Sequence, residues 1–184
     1  MIIGVTGTLG AGKTTVAKYL ETKGFVHYSV RAFITEEVHR RQLPVDRDTL
    51  VNVGNEIRLE HGPDYILRTL IATAKERNER AIIESVRAIS EATYLIAEGG
   101  VLISVDAEQK LRYERVIESS SQIVPVSFEQ FVAQENRELH SSDVNKQSLH
   151  DVMLLAPFHI NNSGSEMQLH KEIDGIIDSL TKIS

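Results

Sequence analysis

Cysteine and tryptophan are absent from this 184-residue chain, and proline occurs only four times. The lack of cysteine excludes disulfides, thiolate nucleophiles and cysteine-ligated metals, and it fits a reducing compartment, so a cytoplasmic location is expected. Scarce proline, with 25% charged and 41% apolar residues, excludes a collagen-like, mucin-like or disordered chain. No apolar run approaches the roughly 20 residues that a membrane helix needs, and stretches such as Ala81 to Ile83 are strand-sized. A signal peptide is not expected, because Met1-Ile2-Ile3 runs straight into a glycine-rich turn with neither a basic region nor a cleavage site. Nor is there a basic excess. A net charge of −6 disfavours a surface that wraps nucleic acid or lies on anionic lipid. The seven histidines form no HExxH and no pair spaced by four on one helix, so none is read as a metal ligand.

What is present is a regular alternation. Ile2 to Thr6, Phe25 to Ser29, Arg80 to Glu84, Val101 to Asp106 and Phe158 to Asn161 are short β-branched runs that read as strands, separated by longer helical patterns. Runs such as Ala81-Ile82-Ile83 and Val101-Leu102-Ile103 are continuously apolar, as strands become when helices cover both faces of a parallel sheet. The expectation is one α/β domain over residues 1–184, with a five-stranded, mostly parallel sheet between two helical layers.

Local chemistry marks the helix ends. Lys13 to Thr22 stops at Gly24, which can take the left-handed conformation that closes a helix. Ser127 with Gln130, and Ser165 with Gln168, have the spacing of reciprocal N-terminal caps. Three helical stretches, Arg31 to Gln42, Asp46 to Glu60 and Asp64 to Arg77, follow one another without an intervening strand. This insertion, residues 31–77, is expected to form a helical flap over the carboxyl edge of the sheet and to bind an acceptor. The region 119–137 begins with a polar, Pro125-containing segment between two helices and is a candidate lid.

The string GTLGAGKT, Gly7 to Thr14, matches GxxxxGK[ST], follows a strand and opens a helix. Glycines there let successive amides turn toward phosphate oxygens, and the helix adds its free N–H groups and positive dipole end. A chance match in a chain of this length is on the order of one per cent. Gly7, Gly10, Ala11, Gly12, Lys13, Thr14 and Thr15 are therefore the candidate nucleotide-binding residues, with Lys13 reaching the β- and γ-phosphates of ATP and Thr14 ligating Mg2+. A second carboxylate is needed at another strand end to order the metal's water shell. Glu84 is the candidate, and Asp106, just before the helix from Ala107 to Ser119, is its rival with capping as the alternative role. Phosphoryl transfer also needs cations. Arg87, three residues after Glu84, is placed to clamp an acceptor phosphate; Arg115 and Arg137 flank the lid. Arg112 lies one turn from Arg115, and surface pairing of the two with Glu108 and Glu118 is the plain alternative; Arg58 is expected on a solvated surface.

Taken together, GTLGAGKTTVAKYL, the strand with HYS, the helical insertion, IIESVR and LRYERV resemble the nucleoside monophosphate kinases, and most nearly the adenylate kinase-related and dephospho-CoA kinase-like small P-loop kinases. The resemblance covers nearly the whole chain. It implies a phosphotransferase acting on a small phosphorylated acceptor, with Glu84 and Arg87 in a DGxxR-like turn, the acid serving magnesium and the arginine the acceptor. It also implies Arg115 and Arg137 as lid arginines around the transferring group. Thr35 stands where that family often has an arginine, no basic residue occurs at Ser119 to Ser121, and HYSVRAF replaces the aspartate pair of dephospho-CoA kinases. A non-catalytic ATP-binding regulatory module is the reading from another class. A GTPase is disfavoured, since Asn145-Lys146-Gln147 is followed by Ser148 rather than the aspartate that reads guanine, and so is a large ATPase motor, which needs a further helical domain.

Overall fold

A computed structural model describes residues 1–119, 127–139 and 149–183, with the backbone alone at positions 47, 134, 137–139 and 183. Five strands, β1 (Ile2–Gly7), β2 (Val26–Ser29), β3 (Ala81–Glu84), β4 (Val101–Asp106) and β5 (Phe158–Asn161), form one sheet in the order β2-β3-β1-β4-β5. Every pairing is parallel. Parallel neighbours require crossover connections. Helix α1 (Lys13–Thr22) leads from β1 to β2; α2 (Val30–Arg40), α3 (Arg47–His61) and α4 (Tyr65–Glu76) lie between β2 and β3; and α5 (Ile89–Ala97) lies between β3 and β4. Between β4 and β5 come α6 (Gln109–Ser119), α7 (Phe128–Leu139) and α8 (Leu149–Leu154), and α9 (Glu166–Ile183) follows β5.

Alternate strand residues part to opposite faces, and both faces are buried. Ile2, Ala81, Ile83 and Leu102 join residues of α2, α3, α4, α5 and α8 in one apolar cluster. Ile3, Val5, Ile82, Ile103 and Val105 join residues of α1 and α9 in the other. This two-sided burial is why the strands read as unbroken apolar runs. No described helix is long and apolar enough to cross a membrane.

The expected elements are present with ends shifted by a residue or two; Asp46, read as the first residue of α3, is instead its cap, accepting from the Thr49 amide at 2.8 Å. Gly24 takes φ 85° as the closing residue of α1. Both reciprocal caps form: Ser127 N donates to Gln130 Oε1 at 3.0 Å and Gln130 N to Ser127 Oγ at 3.3 Å, and Ser165 and Gln168 repeat the pattern at 2.8 and 3.3 Å. Helix α8 was not expected from the sequence; it is short, and its buried Leu149 and Val152 are one turn apart. Of the candidate lid, 119–137, residues 120–126 lie outside the described residues, and from Phe128 onward it is helix α7.

β1 is the central strand, with β3 on one side and β4 on the other. A loop leaving its carboxyl end emerges where the strand order reverses, the crevice in which open α/β sheets bind ligands.

Candidate nucleotide and phosphoryl-transfer site

The loop between β1 and α1 turns on Gly10 and Gly12, at φ 77° and 96°. Side chains cost strain in that region, and here there is no room for them either. A Cβ on Gly10 would stand 2.4 Å from the Arg112 carbonyl oxygen, and one on Gly12 2.2 Å from the Asn162 side-chain nitrogen. Asn162 Nδ2 donates to Ala11 O at 2.8 Å, so the segment after β5 holds the loop from behind. Gly12 is the N-cap of α1 and offers no side chain to the helix amides, which suits an anion at that end. Lys13 is buried, and its Nζ donates to Gly7 O at 2.9 Å and Thr8 O at 2.8 Å, spanning the loop. Thr14 and Thr15 are exposed at the start of α1.

Glu84 is at the carboxyl end of β3, one strand away from the loop. Its Oε1 accepts the Thr14 hydroxyl at 2.8 Å, a contact between residues 70 apart in sequence. Its Oε2 stands 3.0 Å from His27 Nε2 on β2. Burial pushes the Glu84 carboxyl up, but the close contact of His27 and the Thr14 hydrogen bond outweigh it and hold the group below its ordinary range; His27 Nε2, at 3.0 Å, is not aligned as a hydrogen bond. The same contact raises the His27 imidazole above its ordinary value. The carboxylate that caps α5 is not Glu84 but Glu91. Ser85 takes φ 75°, a left-handed conformation that favours glycine, and Arg87 follows Glu84 by three residues, one fewer than the spacing of a DGxxR turn. The Ser85 and Val86 amides both approach Val5 O, at 3.0 and 3.1 Å, and so fold the chain after β3 back toward β1.

A second set of polar contacts lies on the β4 side. Asp106 Oδ1 accepts the Thr8 hydroxyl at 2.5 Å and the Ala107 amide at 2.8 Å, tying the loop to the end of β4. Arg112 is 5% exposed, so surface pairing with Glu108 and Glu118 is overturned. Its Nε donates to Ala107 O at 2.7 Å and lies 3.3 Å from Asp106 Oδ1. Its Nη1 and Nη2 form a two-pronged pair with the buried Glu135 of α7, to which Gln109 also donates at 2.6 Å. Arg115 Nη2 donates to Asn162 O at 2.9 Å, while its buried Nη1 has no hydrogen-bond acceptor among the described residues. The backbone of Arg137 lies on α7, and its side chain is outside the described residues.

The third set surrounds Glu91, 1% exposed. Its Oε2 accepts the Arg87 and Ala88 amides at 2.8 and 3.1 Å and caps α5. Burial pushes its carboxyl up, against the pull of those two amides and of the charges on Arg58 and Arg87. Arg58 is half-buried rather than solvated, with Nη1 3.1 Å from where a Cβ on Gly54 would be. The charge of Arg58, on α3, thus acts on the carboxylate that caps the turn carrying Arg87. A carboxyl with a raised folded-state pKa contributes stability fully below its unfolded value near 4.5 and loses it as pH rises through the higher folded value. Glu91→Gln keeps the acceptor oxygen and cannot ionise. Its melting temperature is therefore expected to gain on that of the parent as pH rises above the unfolded value and then to hold a constant lead. Parallel thermal melts from pH 4 to 8 check it; a gap independent of pH contradicts it.

Comparison with known proteins bears on this arrangement. A family profile described as "AAA domain" matches residues 3–124. A UPF0200 protein of Pyrobaculum aerophilum is 30% identical over 178 residues, spanning 96% of this chain and 96% of its own. The chain belongs to the AAA domain and UPF0200 families. A further UPF0200 protein, from Staphylothermus marinus, is 28% identical over 98% of this chain and 93% of its own. Among solved structures, a shikimate kinase from Bacteroides thetaiotaomicron superposes with a TM-score of 0.62 at 14% identity, covering 98% of each chain. A dephospho-CoA kinase from Campylobacter jejuni superposes with 0.61 at 15% identity, covering 98% of this chain and 97% of its own. At such identities the likeness is one of fold: the described residues of the UPF0200 chain have the fold of small P-loop kinases.

The contacts of His27, Thr8, Glu91, Glu135 and Asn162 were not anticipated from the sequence of this UPF0200 chain. For His27 a signal existed, since it lies two residues before Ser29 and therefore on one sheet face with it. For Glu91 the signal was an acid at the third position of a helix. Nothing local marks Glu135 or Asn162.

Proposed function

We propose that this chain transfers the γ-phosphoryl group of ATP to a small phosphorylated acceptor, a nucleoside or deoxynucleoside monophosphate. The observation that carries the reading is the meeting of the Thr14 hydroxyl with the Glu84 carboxylate at 2.8 Å, beside a loop spanned by Lys13. A hydroxyl that gives its proton to a carboxylate keeps its lone pairs for a hard cation, and magnesium prefers few protein oxygens with water and phosphate making up the rest. The residues present therefore fit Mg2+. Bound there, the ion would neutralise charge on the β- and γ-phosphates.

The chain's own groups then divide the work. The amides from Gly10 to Thr15 hold the donor phosphates, and Lys13 swings its charge from the loop carbonyls to the β- and γ-oxygens. Glu84 orients the metal's water shell. Arg87, on the turn after β3, holds the acceptor phosphate so that one of its oxygens attacks the γ-phosphorus in line as the bond to ADP breaks. Arg115, with an Nη1 that has no acceptor among the described residues, offers a donor to the transferring group, and Arg137 is assigned beside it by resemblance. An open groove of about 550 Å3 runs along α2, in the insertion assigned here to the acceptor, and is lined by Ser29, Arg31, Ala32, Thr35, Glu36 and His39. The protein is taken to work in the cytoplasm on a small molecule, without nucleic acid or membrane.

Coupled ADP release over a panel of nucleoside and deoxynucleoside monophosphates, dephospho-CoA and shikimate tests this. Turnover with a monophosphate is expected; turnover with dephospho-CoA alone selects the alternative of a dephospho-CoA kinase-like activity, and ATP binding without acceptor-dependent turnover selects a regulatory module. Arg87→Ala is expected to raise the acceptor KM on the order of 10- to 100-fold, the worth of a charged hydrogen bond, with the ATP KM little changed. Equal rises in both would remove the clamp.

A further inference from the structure

His27 takes no part in the scheme above, yet it faces the middle of it. In the parallel register of β2 and β3, His27 lies opposite Ile82 and Ser29 opposite Glu84. Residues two apart share a face of the sheet, so His27, Ile82 and Glu84 project together. Ile82 belongs to the apolar cluster of α1 and α9, which identifies that face as the one covered by α1. Thr14 is the second residue of α1. A histidine diagonal to Glu84 across neighbouring strands is within reach of it, and its Nε2 is 3.0 Å from Oε2. Both side chains are largely withdrawn from solvent, at 20% and 14% exposure.

The two oxygens of Glu84 are therefore divided: one takes the Thr14 hydroxyl and the other meets His27. A glutamate has three side-chain torsions and a freely turning carboxylate, and a hydroxyl on one oxygen leaves the other undirected. The His27 ring, with Nε2 3.0 Å from the second oxygen though not aligned as a hydrogen bond, restricts that freedom by close contact. Aspartate, the commoner acid at this strand end, is shorter and needs less restraint. The longer glutamate comes here with a partner on the adjacent strand.

We infer that His27 is a positioning residue that holds the Glu84 carboxylate in the orientation that serves magnesium, and so sets the affinity for the metal–nucleotide complex without touching nucleotide. The inference rests on the assignment of Glu84 to magnesium. Groups that orient a metal's carboxylate in this way typically change metal affinity 10- to 100-fold when removed.

Isothermal titration calorimetry of the full chain separates the possibilities, with ATP titrated once in EDTA and once in excess MgCl2. His27→Ala is expected to weaken binding of magnesium–ATP about 10-fold or more and to leave metal-free ATP binding within about twofold of the parent. His27→Gln, whose amide N–H reaches as far as Nε2, is expected to restore most of the loss. In a Glu84→Gln background, His27→Ala is expected to add nothing, because it acts through that carboxylate. Equal weakening with and without magnesium, no weakening at all, or full additivity with Glu84→Gln would each overturn the role of His27. If Glu84→Gln alone leaves magnesium–ATP binding unchanged, the assignment of Glu84 falls first and the inference with it.

Discussion

Lys13→Ala is expected to lower kcat about 100- to 1,000-fold, the usual consequence of removing one preorganised charge or donor from a transition state. The reason lies in where the ammonium is held. Lys13 is 9% exposed and bonded to two carbonyls of its own loop, so its ammonium is kept at the phosphate loop, from whose carbonyls it turns to a bound γ-phosphate. Lys13→Arg is expected to recover little, because a planar fork does not replace a compact point charge between Gly7 O and Thr8 O. Steady-state kinetics with a competent acceptor check this, and an unchanged kcat in the alanine variant would remove Lys13 from the reaction.

Arg112→Met carries the second large expectation, and it concerns stability. The substitution leaves Glu135 buried at 7% exposure without its cation. Breaking a buried pair from one side costs about 3–5 kcal/mol, which for a chain of this size is a fall of roughly 10 °C in melting temperature. Among the described residues, the Gln109 amide remains to satisfy the carboxylate. Arg112→Met with Glu135→Leu is expected to regain most of the loss, since apolar replacement of both partners is often neutral. The single variant is also expected to bind ATP more weakly, because Arg112 contacts Asp106, which holds Thr8, and its backbone backs Gly10. Thermal melts of the two variants decide the matter; equal stability of Arg112→Met and the parent would contradict the buried pair.

Much of the fold was legible because its causes are local or periodic. Continuous apolar triplets identified strands buried on both faces, and Gly24 and the Ser–Gln pairs marked helix ends that formed as expected. The phosphate loop was legible for a stricter reason. Gly10 and Gly12 need positive φ, and each has a neighbour where a Cβ would go. Arg112 was misplaced because its partner, 23 residues on, lies beyond a segment whose course the pattern does not give. Helix α8 escaped notice because six residues carry less than two turns of periodicity.

The sequence by itself determined that this is a parallel α/β chain with a phosphate loop at the end of its first strand, since turn chemistry and apolar alternation act between residues close along the chain. Only the tertiary structure decided which carboxylate meets Thr14, that His27 stands on its other oxygen, and that Arg112 is spent within the fold while Arg115 keeps a nitrogen with no acceptor among the described residues. Those contacts join β2 to β3, α1 to β3 and α6 to α7. They depend on the strand order β2-β3-β1-β4-β5 and on its register, which packing across the whole sheet selects and no local pattern records.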